Sequence, residues 1–349
     1  MWQTPSLDHL SALTDDTGLI QHATREIPNR STGYCVDDVA RGFIIACGAA
    51  RHEKLRSEAL RLARIYLAFL HDAQLPDGRF HNFMSYDRRW LDETGGDDAI
   101  GRAIWAVGVG MRHAPRDGWR KVCATLFERA LPVVEELAYP RSWAFAALGI
   151  AEAHVAVGRD RPSFEHALRR LGTRLRRAYE GARADGWEWF EPVMTYDNAR
   201  LPEALLRIGA ALADSTFVDL GLRTLAFYES VVIEDRMFVP IGNAGWYARG
   251  GHRARYAQQP LEAAGMVDAA LAAHATSGES RYRRLAELAL EWYYGRNTRD
   301  AVMATGGGCF DGLDELGVNH NMGAESTLAY LASALALAQP AAEVLRIAR

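Results

Sequence analysis

The feature that most constrains this chain is the alternation of long segments rich in alanine, leucine and arginine with loops of two very different lengths. Alanine and leucine cost little to place in a helix, and β-branched runs are scarce. Helices are therefore expected at 37–50, 54–72, 98–113, 118–138, 141–157, 162–182, 198–212, 215–232, 259–276, 280–294 and 323–338, with one more in the closing AAEVLRIAR. Strand-like alternation is nearly absent outside short pieces such as Arg236 to Ile241. Connections near 50–54, 157–162, 213–215 and 276–280 are short, the length that folds a helix back on its neighbour. Those at 73–97, 183–197, 233–258 and 295–322 are long and hold most of the loop tryptophan, tyrosine, aspartate and glycine.

Helices that follow polar loops start near Asp38, Asp98, Ser142, Asn198, Gln259 and Glu325, roughly 44–66 residues apart. Six such helices, each paired with an outer one, predict an all-α (α/α)6 barrel. This is a six-hairpin toroid with its long aromatic loops on one face, forming a single domain over residues 1–349. A tetratricopeptide-type solenoid would repeat at a fixed period of about 34 residues and lack the long loops. Small residues fill the expected inner helices, as in ALGIAEAHVAVG at 147–158 and ESTLAYLASALALA at 325–338, which suits a tightly packed ring.

Hydrophobic residues make up 49% and charged residues 24%, the balance of a globular protein with a sizeable core. Forty basic against 44 acidic residues give a net charge of −4, without the clustered positive charge that nucleic acid or an anionic membrane demands. Cys35, Cys47, Cys123 and Cys309 are scattered without CxxC spacing, so buried free thiols are expected rather than disulfides or a metal site. The opening MWQTPSLDHL has neither a basic region nor an apolar run, and the most apolar stretch, 327–338, is too short to span a bilayer. A cytoplasmic location is the expectation.

If six helix starts converge, the residues there define a pocket: Asp37 and Asp38, Asp97 and Asp98, Arg141 and Ser142, Asp197 and Asn198, Gln258 and Gln259, and Glu325. Helix capping accounts for one such residue per helix. It accounts less well for adjacent aspartates occurring twice. Arg41, four after Asp37, and Arg102, four after Asp98, are either ordinary helical ion pairs or clamps on a buried carboxylate.

Four loops then set aromatic rings beside polar groups: 79–90 with His81, Asn82, Tyr86 and Trp90; 187–198 with Trp187, Trp189 and Tyr196; 243–251 with Trp246, Tyr247 and Arg249; and 319–325 with His320 and Asn321. Trp143 joins them at a helix start. Flat apolar rings next to carboxylates, amides and arginines suit a sugar, which offers CH faces for stacking and hydroxyls for paired hydrogen bonds. These residues, with Asp97, Asn198, Gln258 and Gln259, are the expected sugar contacts.

Glycoside hydrolysis needs two carboxyl groups across the glycosidic bond. Asp37, Asp38, Asp98, Asp197, Glu262 and Glu325 are the candidates. The acid belongs in the driest setting, where desolvation raises its pKa. Asp197, flanked by Tyr196 and near Trp187 and Trp189, is the first choice and Asp38 the second. GxSxG, HExxH, a P-loop and GxGxxG in a strand context are absent, and no metal or organic cofactor is expected. Loop histidines such as His81, His252 and His320 leave room for a sugar epimerase or isomerase.

Five blocks carry a wider likeness: TDDTGLIQHATREIPNRSTGYCVDDVARGFI at 14–44, FHNFMSYDRRWLDE at 80–93, TYDNARLPEALL at 195–206, GNAGWYARGGHRARYAQQPLEAAGMVDA at 242–269 and GVNHNMGAESTLAYL at 317–331. Over nearly its whole length the chain resembles a bacterial family found beside, or fused behind, family-4-type glycosyltransferases and often labelled glycosyltransferase. The resemblance implies the six-hairpin glycosidase-like superfamily of hydrolases, phosphorylases, lyases and epimerases, with an oligosaccharide or polysaccharide substrate. A non-catalytic sugar-binding partner of a glycosyltransferase is the further possibility it implies. It implies no catalytic pair, so the residue assignments rest on the helix starts and loops.

Overall fold

The computed structural model describes residues 4–158 and 161–338. These form two compact units whose boundary falls at Leu171/Gly172.

In the first unit, α1 (Asp8–Leu13) precedes α2 (Val36–Ala49), α3 (Arg56–Ala73), α4 (Asp97–His113), α5 (Asp117–Ala130) and α6 (Pro140–Val157). α3 buries Ala59, Leu62, Ala63, Tyr66, Leu67 and Leu70, a single stripe at helical spacing. α4 is buried on all sides from Ala99 to Met111. That contrast separates an outer helix from an inner one. α2 and α3 pair as a hairpin, as do α4 and α5, and α4 packs against both α2 and α6. The α4–α6 approach depends on glycine. A Cβ on Gly108 would lie 2.2 Å from the Gly149 carbonyl oxygen, and one on Gly149 would lie 2.5 Å from that of Ile104.

In the second unit, α7 (Pro162–Ala182), which straddles the boundary, leads into α8 (Arg200–Leu212), α9 (Ser215–Val232), α10 (Pro260–Ser277), α11 (Ser280–Glu291) and α12 (Ala324–Ala338). α8 pairs with α9 and α10 with α11, and α10 packs against α8 and α12. α10 and α12 are buried almost all round, whereas α11 buries only one face.

Within the described residues the expected helices are all present within about three residues, with one exception at a C-terminal end. The segment expected at 118–138 ends at Ala130 and tightens into a 3-10 turn, Leu131–Glu135, at Pro132, which has no N–H for the next helical bond. α1 was not expected, because six residues carry too little periodicity to read. AAEVLRIAR lies outside the described residues. There is more strand than expected: the described residues hold six two-stranded antiparallel ribbons, one at 23–28 and the others built wholly or partly from the long loops, and Met237–Phe238 realises the expected piece. Two of the ribbons lead into the starts of α2 and α8. Tyr34–Cys35 pairs with Phe83–Met84, and Val193–Met194 with Tyr247–Ala248. All four cysteines are free and buried, as expected. No helix among the described residues is long and apolar enough to cross a membrane.

Candidate functional site

The aspartates at the helix starts do not act as N-caps. The cap of α2 is Cys35, whose Sγ accepts from the Asp38 N–H at 3.4 Å. The cap positions of α4, α6, α8 and α10 make no side-chain cap bond. In the first unit the carboxylates are instead held by arginines. Arg41 Nη2 donates to Asp38 Oδ1 at 2.7 Å and stands 3.7 Å from Asp37 Oδ2. Arg102, on α4, also reaches the start of α2. Its Nε lies 2.7 Å from Asp37 Oδ1, a charge pair without the alignment of a directed hydrogen bond, and its guanidinium covers the Phe145 ring at 4.0 Å. Asp38 is closed in at 4% side-chain exposure, while Asp37 opens to solvent at 29%. The Cys35 thiol donates to Asp38 Oδ2 at 3.1 Å. Burial first, and then the charges of Asp38 and Asp37, push its pKa well up. Asp97 accepts from the Ala138 N–H at 2.6 Å and so ties down the approach to α6, and Asp98 is half-buried.

The 80–92 loop is stitched to the same helix start. Asn82 accepts from the Val36 N–H through its carbonyl at 2.8 Å and from the Asp37 N–H through Oδ1 at 3.3 Å. His81 Nδ1 stands 2.8 Å from the Asp92 carbonyl oxygen and 3.2 Å from Asp92 Oδ1, while Asp92 Oδ2 accepts from the N–H groups of Asn82 and Phe83 at 2.9 and 3.0 Å. Trp90 stacks on the His81 ring with centroids 4.7 Å apart, and Tyr86 stacks on Tyr34 at 6.1 Å. The structure therefore brings Asp37, Asp38, His81, Asn82 and Trp90 to one helix start. Trp143, half-buried on α6, donates to the Leu137 carbonyl at 2.6 Å and secures its own helix entry.

The second unit gathers a denser polar cluster. Asp197 is fully buried with φ at 46°, and its Oδ1 faces Gly265, where a Cβ would come within 3.1 Å. Arg200 Nε stands 3.3 Å from Asp197 Oδ1, and its Nη1 donates to both Glu203 Oε2 and Asp268 Oδ2 at 2.7 Å. Glu262 accepts from the Asp197 N–H, from Asn198 Nδ2 at 3.3 Å and from the Tyr228 hydroxyl at 2.8 Å. Burial, then the Asp197 charge, push the Glu262 carboxyl up to about 7 against the pull of those donors. Burial likewise pushes Glu203 up to about 7 against the pull of Arg200. Desolvation thus raises two carboxyls of this cluster, Glu262 and Glu203, and Asp197, the first choice from the sequence, is fully buried beside them.

Several expected sugar contacts turn out to be core. Trp187 and Trp189 are 2% and 0% exposed, so neither ring has a free face. Trp187 donates to the Glu191 carbonyl at 2.9 Å and packs edge-on against Tyr247. Gln258 is buried, accepting from Trp292 Nε1 at 2.8 Å and donating to the Arg255 carbonyl at 2.7 Å. Asn198 is buried under Glu262. Arg249 is exposed but donates to the Ala182 carbonyl at 2.8 Å. Tyr196, Trp246, Tyr247, Gln259, Asn321 and Glu325 are half-buried, and His252 and His320 are exposed.

Sequence reasoning missed Asp92, Arg200, Glu203, Tyr228 and Asp268. It also missed Asp311, which accepts from the Gly323 N–H and the Ser326 hydroxyl at 2.7 and 2.8 Å and so secures the start of α12. The available signals were the Arg200–Glu203 spacing and a lone aspartate, Asp268, in the small-residue run of α10.

No protein-family model matches the chain, and no curated protein matches it in sequence. Solved structures do match in fold. A sugar epimerase from a ruminal bacterium aligns with a TM-score of 0.72 at 12% identity, over 96% of each chain. Cellobiose 2-epimerase from Spirochaeta thermophila aligns at 0.71 and 13%, over 99% of this chain and 94% of that one. The GH76 alpha-mannanase from Bacteroides thetaiotaomicron aligns at 0.63 and 9%, over 95% and 93%. Together with the alternation of inner and outer helices, these likenesses establish the fold as the all-α (α/α)6 toroid expected from the spacing of the helix starts.

Proposed function

We propose that this protein is a carbohydrate-active enzyme that hydrolyses a glycosidic bond in an oligosaccharide or polysaccharide. The observation that carries this reading is the Asp37/Asp38 pair: adjacent carboxyl groups, released from capping, clamped by Arg41 and Arg102, with one enclosed and one open. Carboxyl groups set in unlike surroundings are how a protein assigns them different tasks in glycoside cleavage. Asp37, the member that reaches solvent, meets the sugar. Asp38 and the arginines fix it. The half-buried Trp90 and the exposed Tyr86 of the same loop supply apolar faces for the ring. Tyr196, Trp246, Tyr247, Gln259, Asn321 and Glu325 are further proposed sugar contacts. Asp98 is a further candidate carboxylate. The alpha-mannanase and the cellulase among the fold neighbours support hydrolysis.

A second reading, sugar epimerisation or isomerisation, draws support from the epimerases and the D-mannose isomerase among those neighbours. Purified protein assayed against α- and β-linked oligosaccharides, with products separated by chromatography, tests both. Shortened products, lost by about 100-fold or more in Asp37→Asn, support hydrolysis. Products of unchanged length but altered identity support epimerisation. Binding without turnover overturns the enzyme reading and leaves a sugar-binding partner of a glycosyltransferase.

A further inference from the structure

Glycoside cleavage by this reading needs a proton donor as well as a carboxylate. At the start of α2 the carboxylates are paired with guanidinium groups, which leaves the donor unassigned. The adjoining loop offers one. Both atoms facing His81 Nδ1 are Asp92 oxygens, and one of them is a backbone carbonyl, which has no proton to give. Nδ1 therefore carries the ring hydrogen, and Nε2 is the position at which a proton is gained and lost. Asp92 cannot swing away without giving up the Asn82 and Phe83 N–H bonds. Trp90, stacked on the imidazole at an interplanar angle of 12°, fixes the plane of the ring. The next residue along, Asn82, is bonded to the first turn of α2, where Asp37 stands.

We infer that His81 is the acid of the reaction and Asp92 the positioning residue behind it. The inference rests on the hydrolase reading. The protonated imidazole gives its Nε2 proton to the glycosidic oxygen as the bond from that oxygen to the anomeric carbon breaks. The bond's electron pair goes to the leaving oxygen. The water oxygen then bonds to the anomeric carbon, and the neutral ring, still donating through Nδ1 to Asp92, takes the proton that this water loses. Asp92 offsets the charge of the imidazolium form and holds Nε2 toward the substrate.

The test is the dependence on the leaving group. A 2,4-dinitrophenyl glycoside departs without protonation, whereas an unactivated disaccharide of the same sugar needs the acid. His81→Gln is expected to lose about 100- to 10,000-fold in kcat on the disaccharide and to stay within about threefold of wild type on the dinitrophenyl glycoside. Asp92→Asn should show the same split at smaller amplitude. Long-range 15N–1H NMR on histidine-labelled wild-type protein should show the hydrogen on His81 Nδ1, a result that does not depend on how either variant folds. If both substrates slow alike in His81→Gln, or neither does, or if the neutral ring carries its hydrogen on Nε2, the inference falls while the hydrolase reading stands. If no glycoside is cleaved at all, both fall.

Discussion

Nearly the same four residues stand in the first turns of α2, Asp38-Val39-Ala40-Arg41, and at the entry to α8, Asp197-Asn198-Ala199-Arg200, and their surroundings put them to different use. In α2 the arginine binds Asp38 and stands beside Asp37, both on its own helix, and one carboxylate of the group remains open to solvent. In α8 the arginine reaches across to Asp268 on α10 while also holding Glu203, and Asp197 is sealed. The second residue follows suit. Val39 is a fully buried apolar side chain, whereas Asn198 is a polar tie to Glu262. A charged helix start is thus not a site in itself. The α2 version leaves a charge where a ligand can meet it, and the α8 version is a closed knot that holds two helices together.

The sharpest way to break this comparison is to remove the arginines. Arg200→Met takes the cation from two buried carboxylates, Asp197 and Glu203, and from the half-buried Asp268, and should cost about 3–5 kcal/mol, read as a lowered urea midpoint. Arg41→Met, with Arg102 still beside Asp37, should cost about 1.5–3 kcal/mol. Equal losses would show that the two clusters do the same work.

The next largest effect is on pH. The Glu262 pKa is raised from the ordinary glutamate value of 4.5 to about 7. Between those values the folded state holds a proton that the unfolded chain has released. The associated stability is therefore fully present below pH 4.5, is lost as pH rises to about 7, and changes no further above that. The total is up to about 3 kcal/mol. Glu203 acts in the same direction over the same window. The melting temperature of Glu262→Gln relative to wild type should climb across pH 4.5 to 7. A constant difference would remove Glu262 as a buried proton store. The smallest effects come from exchanging the second residues. Val39→Asn buries an amide without a partner, at about 1–3 kcal/mol. Asn198→Val takes one donor from Glu262, at about 1–2 kcal/mol. If either exchange is neutral, the two starts are more alike than their contacts indicate.

The architecture was legible because it rests on helix propensity and loop length, both of which are local. The candidate site was legible only in part. Asp37 and Asp38 stood out as neighbours, but the partner of Arg102 did not. An i,i+4 spacing points to Asp98, and the packing of α4 against α2 brings in Asp37, which no spacing names. Trp187 and Trp189 have the composition of a stacking platform, and nothing in a single sequence separates a ring that faces a sugar from one that plugs a loop. The raised carboxyl of Glu262 was hidden for a related reason. The groups that close over Glu262 include Tyr228, which lies 34 positions away on another helix.

The glycine contact between α4 and α6 has a consequence well away from itself. A shift of one residue in the register of α4 would turn the helix by about 100° and drive a side chain into the opposing backbone. Gly108 therefore works as a key in a slot, setting the azimuth of the whole helix. Asp97 and Asp98 lie about 15 Å up the same rod, so the direction in which they leave α4 is decided by a residue with no side chain and no charge. Mutational drift at Gly108 would reach those carboxylates as a rotation, without touching the loops around them.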